Sequence, residues 1–123
     1  MTRDEIMPRI HDLPKPLRTR LERHGDTVVV IASGEIDVSS SDRLEAQLRG
    51  LLDGCRRLVL DLQEVVFIES SGLRCILAVD MASRAAGIEF ALVPGPPQVQ
   101  RLFAVTRTDG ILEFVEQVER AGD

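Results

Sequence analysis

Short apolar runs rich in β-branched residues alternate with segments of helical periodicity along most of the chain. Thr27 to Ala32 (TVVVIA), Arg57 to Leu62 (RLVLDL) and Ile88 to Val93 (IEFALV) have the composition and length of buried strands. Between the first two runs, leucines recur at the spacing of one helix face, at Leu44, Leu48, Leu51 and Leu52. Strands that alternate with helices require crossover connections, so this pattern predicts an α/β fold with mainly parallel strand pairing.

The other segments complete a single domain. Leu17 to Arg23 alternates weakly, and His24-Gly25-Asp26 joins it to the first apolar run as a predicted hairpin. A helix is predicted from about Ser71 to Ala86, then a short helix, a final strand over Ile111 to Val115, and a polar C-terminal helix or tail. The predicted order is β-β-α-β-α-β-α-β, a mixed sheet with helices packed on it, over residues 17–123. The preceding residues, 1–16, contain three prolines among charges and predict a flexible leader.

Composition argues against several classes of function. The net charge of −5 lacks the basic footprint of direct nucleic-acid binding, and the absence of Trp and Tyr leaves no aromatic platform for bases. The two histidines have no metal-ligand grouping and no phosphate-binding glycine motif occurs, so no metal or cofactor is expected. Cys55 and Cys75 lack CxxC spacing, which favours buried thiols in a reducing, cytoplasmic setting. No apolar run approaches the roughly 20 residues of a membrane span.

Two adjacent serines follow a predicted strand and begin a predicted helix, in the segment Glu69-Ser70-Ser71-Gly72. In parallel sheets, the loops at the carboxyl ends of strands are where ligands and partners bind. One interpretation is that the serines only cap the helix. The other is that a phosphate on one of them, with about −1.5 to −2 charge, blocks a partner that docks there. Gly72 would let another backbone approach closely.

The helix after the serines has two apolar sides. Its sheet-facing stripe is predicted to contain Cys75, Val79, Ala82 and Ala86. Leu73, Leu77 and Met81 lie nearly opposite, and they form either a second packing face or an exposed patch beside Ser70 that contacts a protein partner.

Glu35 and Asp37 form a carboxylate pair of the kind used in acid–base catalysis. No nucleophile or histidine accompanies them, so the sequence predicts a protein that is not an enzyme, with these residues in a turn that enters a helix.

Taken together, the motifs and their order resemble the STAS domain family, typified by bacterial anti-sigma factor antagonists. The resemblance covers roughly Leu17 to Val115. The motifs that carry it are Gly34-Glu35-Ile36-Asp37, Leu58-Val59-Leu60-Asp61-Leu62, Val65-Val66-Phe67-Ile68-Glu69-Ser70-Ser71-Gly72-Leu73, Ala86-Gly87 and Val99-Gln100-Arg101-Leu102-Phe103.

The resemblance implies a protein that binds an anti-sigma factor, often a serine kinase of the GHKL type, and so frees a sigma factor. The kinase would phosphorylate Ser70, which directly follows the acidic Glu69, and a phosphatase would reverse the modification. Ser71 would be the neighbouring capping hydroxyl. The loop with Glu35 and Asp37 would lie beside the serines and contribute to partner contact.

Two departures from the family pattern affect this site. Glu69 stands where the family most often has Asp, and Arg74 stands where a small residue is common. A basic side chain one turn after Ser70 could neutralise a phosphate or pair with an acidic partner. The complete predicted partner surface consists of Glu35, Asp37, Glu69, Ser71, Gly72, Leu73, Arg74, Leu77 and Met81.

A second function remains open at the level of sequence. The same fold serves as an unphosphorylated scaffold or as an accessory subunit in stress-sensing and transporter complexes. The sequence also leaves the oligomeric state open, a homodimer included.

Overall fold

The structure, a computed structural model, describes residues 15–116. Four strands form one sheet in the order β1-β2-β3-β4. β1 is antiparallel to β2, whereas β2, β3 and β4 are parallel to one another, as the crossover argument predicts. The strands are β1 (Arg18–His24), β2 (Thr27–Ile36), β3 (Arg57–Ile68) and β4 (Glu89–Val93).

Three helices connect or follow the parallel strands: α1 (Ser41–Leu51), α2 (Ser70–Ala86) and α3 (Pro97–Val105). Two single 3-10 turns, Leu52–Gly54 and Thr108–Gly110, follow α1 and α3. Gly87 ends α2 in the left-handed conformation, with φ +73°, which a glycine adopts without steric cost.

The side chains of the parallel strands alternate between two faces of the sheet. On one face, Leu58 and Leu60 join the helices in a large core that also contains Leu44, Ile76 and Phe103. On the other face lies a smaller apolar cluster, Val29, Ile31, Val59, Ala91 and Val93, with Val115 packed against it. β3 is therefore apolar on both sides, which explains why its sequence shows a continuous run rather than an alternating pattern.

Two central strands are longer than predicted. β2 continues through Gly34 and Glu35 to Ile36, and β3 continues past Leu62 to Ile68. The pairing register shifts between Ile31 and Ser33 and again between Gly34 and Glu35. These irregularities interrupt the apolar pattern without ending the strands, because a bulge inserts residues while pairing resumes beyond it.

The predicted final strand over Ile111 to Val115 is wrong. This segment makes only one isolated bridge, between Phe114 and Leu92 of β4. Leu92 N donates to Glu113 O at 2.9 Å, and Val115 N donates to Leu92 O at 2.8 Å. The Phe114 ring packs edge-on against Phe103, with the ring centroids 5.2 Å apart. Side-chain packing therefore holds the segment in place, instead of the series of strand hydrogen bonds that was predicted.

The predicted leader and C-terminal helix fall largely outside the described part of the chain, which excludes residues 1–14 and 117–123. Lys15 and Pro16 lie at the start of the described segment, where the Lys15 carbonyl accepts a hydrogen bond from the Glu35 amide at 2.9 Å. Among residues 15–116, no helix has the length and hydropathy needed to cross a bilayer.

Candidate functional site

Ser70 lies at the point where β3 passes into α2. Glu69 is extended, with φ −97° and ψ 172°, and its amide donates to Ile36 O at 2.9 Å, so the ends of β2 and β3 are held together. Helical geometry begins at Ser70, whose side chain is exposed. Its hydroxyl makes no hydrogen bond within residues 15–116, so this oxygen is accessible from solvent.

A shallow groove contains Ser70. It is lined by Val38, Ile68, Glu69, Ser70, Ser71 and Leu102. Val38, in the loop between β2 and α1, is 76% exposed, and Leu102 belongs to α3. The groove therefore combines two apolar side chains from separate elements with the first turn of α2, a composition typical of a protein contact surface.

Asp37 organises the loop that carries Val38. Its Oδ1 accepts hydrogen bonds from the Ser39 hydroxyl at 2.7 Å, the Ser39 amide at 3.0 Å and the Ser40 amide at 3.1 Å. These bonds, led by that from the Ser39 hydroxyl, lower the pKa of Asp37 below its usual value. The predicted turn role of Asp37 is confirmed.

Glu69 links this loop to the start of α2. Its Oε2 accepts a hydrogen bond from the Val38 amide at 3.0 Å, so the Glu69 carboxylate holds the two sides of the groove together. The Glu35 carboxylate instead accepts from the Lys15 amide at 3.2 Å. The structure therefore brings Asp37 and Glu69 together around Val38 and directs Glu35 toward the start of β1.

Ser71 does not cap α2, contrary to the prediction. Glu69 occupies the N-cap position, and no side chain bonds to the free amides there. The Ser71 Oγ is buried without a hydrogen-bond partner among the described residues. The physical reason is its place inside the first turn, which turns the hydroxyl toward the domain instead of toward the helix end.

Gly72 is buried and meets side chains of its own domain. A Cβ at this position would lie 2.7 Å from Ile36 Cγ2 and 2.8 Å from Ile68 Cγ1. The absence of a side chain thus allows α2 to pack closely on the ends of β2 and β3. Gly72 was predicted to let the backbone of a partner come close, but the groups that lie close to it are side chains of the same chain.

The outer side of α2 is only partly exposed. Leu73 is 7% exposed, Leu77 is half-buried and packs against the core, and Met81 is 72% exposed. The packing alternative is therefore confirmed for Leu73 and Leu77. The sheet-facing stripe is also rotated from the prediction: Cys75 and Val79 are buried, but Ala86 is exposed and Ile76 is fully buried.

Val38 was missed by the sequence analysis. Its only signal is one apolar residue inside a polar turn, which sequence patterns do not distinguish from a core residue. No group of three or more His, Cys, Asp or Glu side chains within residues 15–116 could hold a metal ion.

The model of one protein family matches most of the chain. The STAS domain model aligns with residues 18–121, a span that includes all four strands and the groove. The chain belongs to the STAS domain family. The matched span contains both the β1–β2 hairpin and the alternating strands and helices that follow it.

Two curated proteins are similar to the chain over about two thirds of its length. It is 33% identical to the anti-sigma F factor antagonist of Paenibacillus polymyxa over 88 residues, 70% of this chain and 75% of that protein. It is also 33% identical to osmosensory protein A of Mycobacterium tuberculosis over 79 residues, 64% of this chain. The alignment spans only half, 50%, of the length of that second relative.

A solved structure has the same fold as this STAS domain. The crystal structure of an anti-sigma factor antagonist from Mycobacterium paratuberculosis superposes with a TM-score of 0.76 at 27% identity. The superposition covers 89% of this chain and 93% of the other. The mixed four-stranded sheet and its helices are thus a shared architecture.

Proposed function

We propose that this STAS domain is an anti-sigma factor antagonist whose binding is abolished by phosphorylation of Ser70. The observation that carries the proposal is the exposed, unbonded Ser70 hydroxyl in a groove with apolar sides. Two relatives carry the name of anti-sigma factor antagonist, one at 33% identity and one solved structure at 27%. The names support the partner class, and the groove supports the place of contact.

The switch has an electrostatic and a steric component. A phosphate on Ser70 adds about −1.5 to −2 charge and a hydrated group to the lining of the groove. A partner that buries Val38 and Leu102 would have to desolvate this group, which costs several kcal/mol unless the partner itself supplies a compensating cation. Phosphorylation therefore removes the partner without altering the core of the domain.

The accessible members of the predicted surface are the ones that contact the partner in this proposal: Glu69, Arg74 and Met81, together with Val38 and Leu102. Gly72, Leu73 and Leu77 support them from below, because they are buried or half-buried. The partner is an anti-sigma factor with serine kinase activity, and a phosphatase restores the unmodified state.

The test is the affinity of the full chain for an anti-sigma factor kinase from the same organism, measured by titration calorimetry. Ser70→Ala should bind as the wild type does, and Ser70→Asp should bind at least tenfold more weakly. Ala85→Asp is the matched control, because it adds the same charge at an exposed position near the far end of α2. Equal affinities for Ser70→Asp and wild type would reject the switch.

A second candidate is a scaffold or accessory subunit that is not phosphorylated. The similarity to osmosensory protein A supports this alternative, because half of that protein's length lies outside the matched region. It predicts a stable complex that survives Ser70→Asp unchanged. Incubation with the kinase and ATP separates the two functions, because only an antagonist of the first kind gains phosphate at Ser70 and loses it in Ser70→Ala.

A further inference from the structure

Arg74 is an exposed arginine on α2, four residues after Ser70, and its side chain has no partner among the described residues. Two other helix arginines pair with an acid four residues earlier: Arg49 Nε lies 2.9 Å from Glu45 Oε2, and Arg84 Nε lies 3.0 Å from Asp80 Oδ2. The Arg74 guanidinium makes no hydrogen bond or salt bridge with residues 15–116. Arg74 therefore has the spacing of these ion pairs but lacks the acid, because its fourth residue back is Ser70.

We propose that a phosphate on Ser70 forms an ion pair with Arg74 across the first turn of α2. The inference rests on the proposed function, since it takes Ser70 as the modified hydroxyl. Side chains four residues apart on a helix are neighbours, with Cβ atoms about 5–6 Å apart, and an acid that precedes the base is the favourable order. The planar guanidinium donates two parallel hydrogen bonds to phosphate oxygens, which a lysine could not do.

The other charged groups at the groove do not compete for this role. The Glu69 carboxylate bonds to the Val38 amide, and the Asp37 carboxylate bonds to Ser39 and Ser40. Both are negative and favour a cation beside an added phosphate. Arg101, which is exposed on α3 and directly precedes the groove residue Leu102, is the cation whose contribution the experiment must separate from that of Arg74.

Phosphorylation then changes the docking surface in two ways. It places a dianion in the groove, and it withdraws Arg74 from any acidic group on the partner. Arg74 offsets part of the phosphate charge within the same helix, and the exposed position of Ser70 keeps the phosphate outside the core. A partner that had relied on Arg74 would lose an ion pair and meet a charged group in one step.

The ion pair can be measured on the full chain with phosphoserine incorporated at position 70 during translation. The second ionisation of the phosphate is followed by phosphorus NMR between pH 4 and 8 at low salt. Arg74→Gln should raise the pKa of this ionisation by about 0.3 unit, as expected for one helix ion pair, and 0.5 M NaCl should diminish the difference. Arg56→Gln is the matched control: Arg56 is exposed, precedes the opposite end of β3, and its guanidinium contacts no acid within residues 15–116.

An unchanged phosphate pKa in Arg74→Gln would overturn the inference, as would a change confined to Arg101→Gln. No anti-sigma factor enters this measurement. A positive result alongside unaltered partner binding would reject the proposed function and leave the ion pair intact. If Arg74→Gln leaves the phosphate pKa unchanged but phosphorylation still abolishes partner binding, the ion pair is rejected and the proposed function stands.

Discussion

At the scale of single residues, the two serines of the first turn of α2 have opposite environments. Ser70 is exposed, whereas the Ser71 hydroxyl is buried without a hydrogen-bond partner among the described residues. A buried hydroxyl that loses its bond to water and gains none costs about 1–3 kcal/mol. Adjacent serines are identical in the sequence, and only the rotation of the helix distinguishes them.

Ser71→Ala should therefore raise the free energy of unfolding by about 1 kcal/mol, because it removes the unbonded hydroxyl and improves helix propensity. Urea denaturation followed by circular dichroism measures the change. Ser83→Ala in the same helix is the control, since the Ser83 hydroxyl is fully buried but donates to Val79 O at 2.7 Å. The prediction fails if both substitutions have the same effect.

Asp61, like Ser71, has a polar side chain in an unfavourable environment, and in this case the group can carry a charge. It is 5% exposed, accepts a bond from the Gln63 amide at 2.9 Å and forms no salt bridge with another described residue. Burial raises the pKa of Asp61, because the ionised form loses hydration. The nearby Arg20 is engaged by Glu64 through two bonds, of 3.1 and 3.0 Å.

Because the folded-state pKa of Asp61 is raised, its contribution to stability is present below the ordinary carboxyl range and is lost as the pH rises through the folded pKa. Asp61→Asn should thus stabilise the domain by about 1 kcal/mol at pH 7, and the gain should shrink toward pH 4. Asp37→Asn should have the opposite sign, since its lowered pKa contributes stability above the ordinary range. Denaturation at several pH values checks both, and parallel pH profiles would contradict the argument.

At the scale of elements, α2 shows what periodicity can predict and what it cannot. The helix and its end at Gly87 were predictable, because the apolar spacing and the glycine are local signals. The division between core and exposed positions was not, since Leu73, Leu77 and Met81 share one side of the helix wheel. Packing against α1 and the core decides their exposure, and the wheel contains no information about neighbouring helices.

The outer side of α2 gives a direct comparison of two apolar residues. Leu77→Asp should lower the free energy of unfolding by about 2–3 kcal/mol, because it places a charge against the core. Met81→Asp should change it by less than about 0.5 kcal/mol, since Met81 is 72% exposed. The same urea titration measures both, and a wild-type stability for Leu77→Asp would show that this residue does not pack as described.

The strands illustrate the same limit. The centres of β2, β3 and β4 were predictable from their continuous apolar runs, but the full lengths of β2 and β3 were not, because bulges interrupt the pattern. The segment after Thr108–Gly110 has strand-like composition, yet it forms a single bridge while Phe114 packs on Phe103. Long-range packing selects between these outcomes.

At the scale of the whole molecule, the parallel direction of β2, β3 and β4 was predictable, because parallel neighbours need crossover connections such as the predicted helices. The groove was not predictable, because its sides come from elements far apart in the chain. The strand-to-helix junction at Ser70 was visible as a motif. The tie between Glu69 and Val38 was not, since a hydrogen bond across 31 residues leaves no local signal.

The two buried thiols provide a measure of global unfolding. Burial raises the pKa of Cys75 to about 12, so the reactive thiolate is scarce at pH 8 in the folded state. In a Cys55→Ala background, iodoacetamide should label Cys75 only through unfolding, with a rate that falls as stabilising substitutions are added. Complete labelling in urea is the control. Rapid labelling in native buffer would contradict the burial of Cys75.

The groove around Ser70 is assembled from residues near positions 38, 70 and 102, which only the folded chain brings together. A short peptide copied from the serine segment would present the hydroxyl without its walls, so it should be a poor substrate for any enzyme that recognises the surface. Such an enzyme would also fail to recognise a misfolded chain, because the groove would not be formed. In the proposed function, signalling through Ser70 would thus be restricted to correctly folded molecules, and no additional component would be needed to exclude misfolded ones.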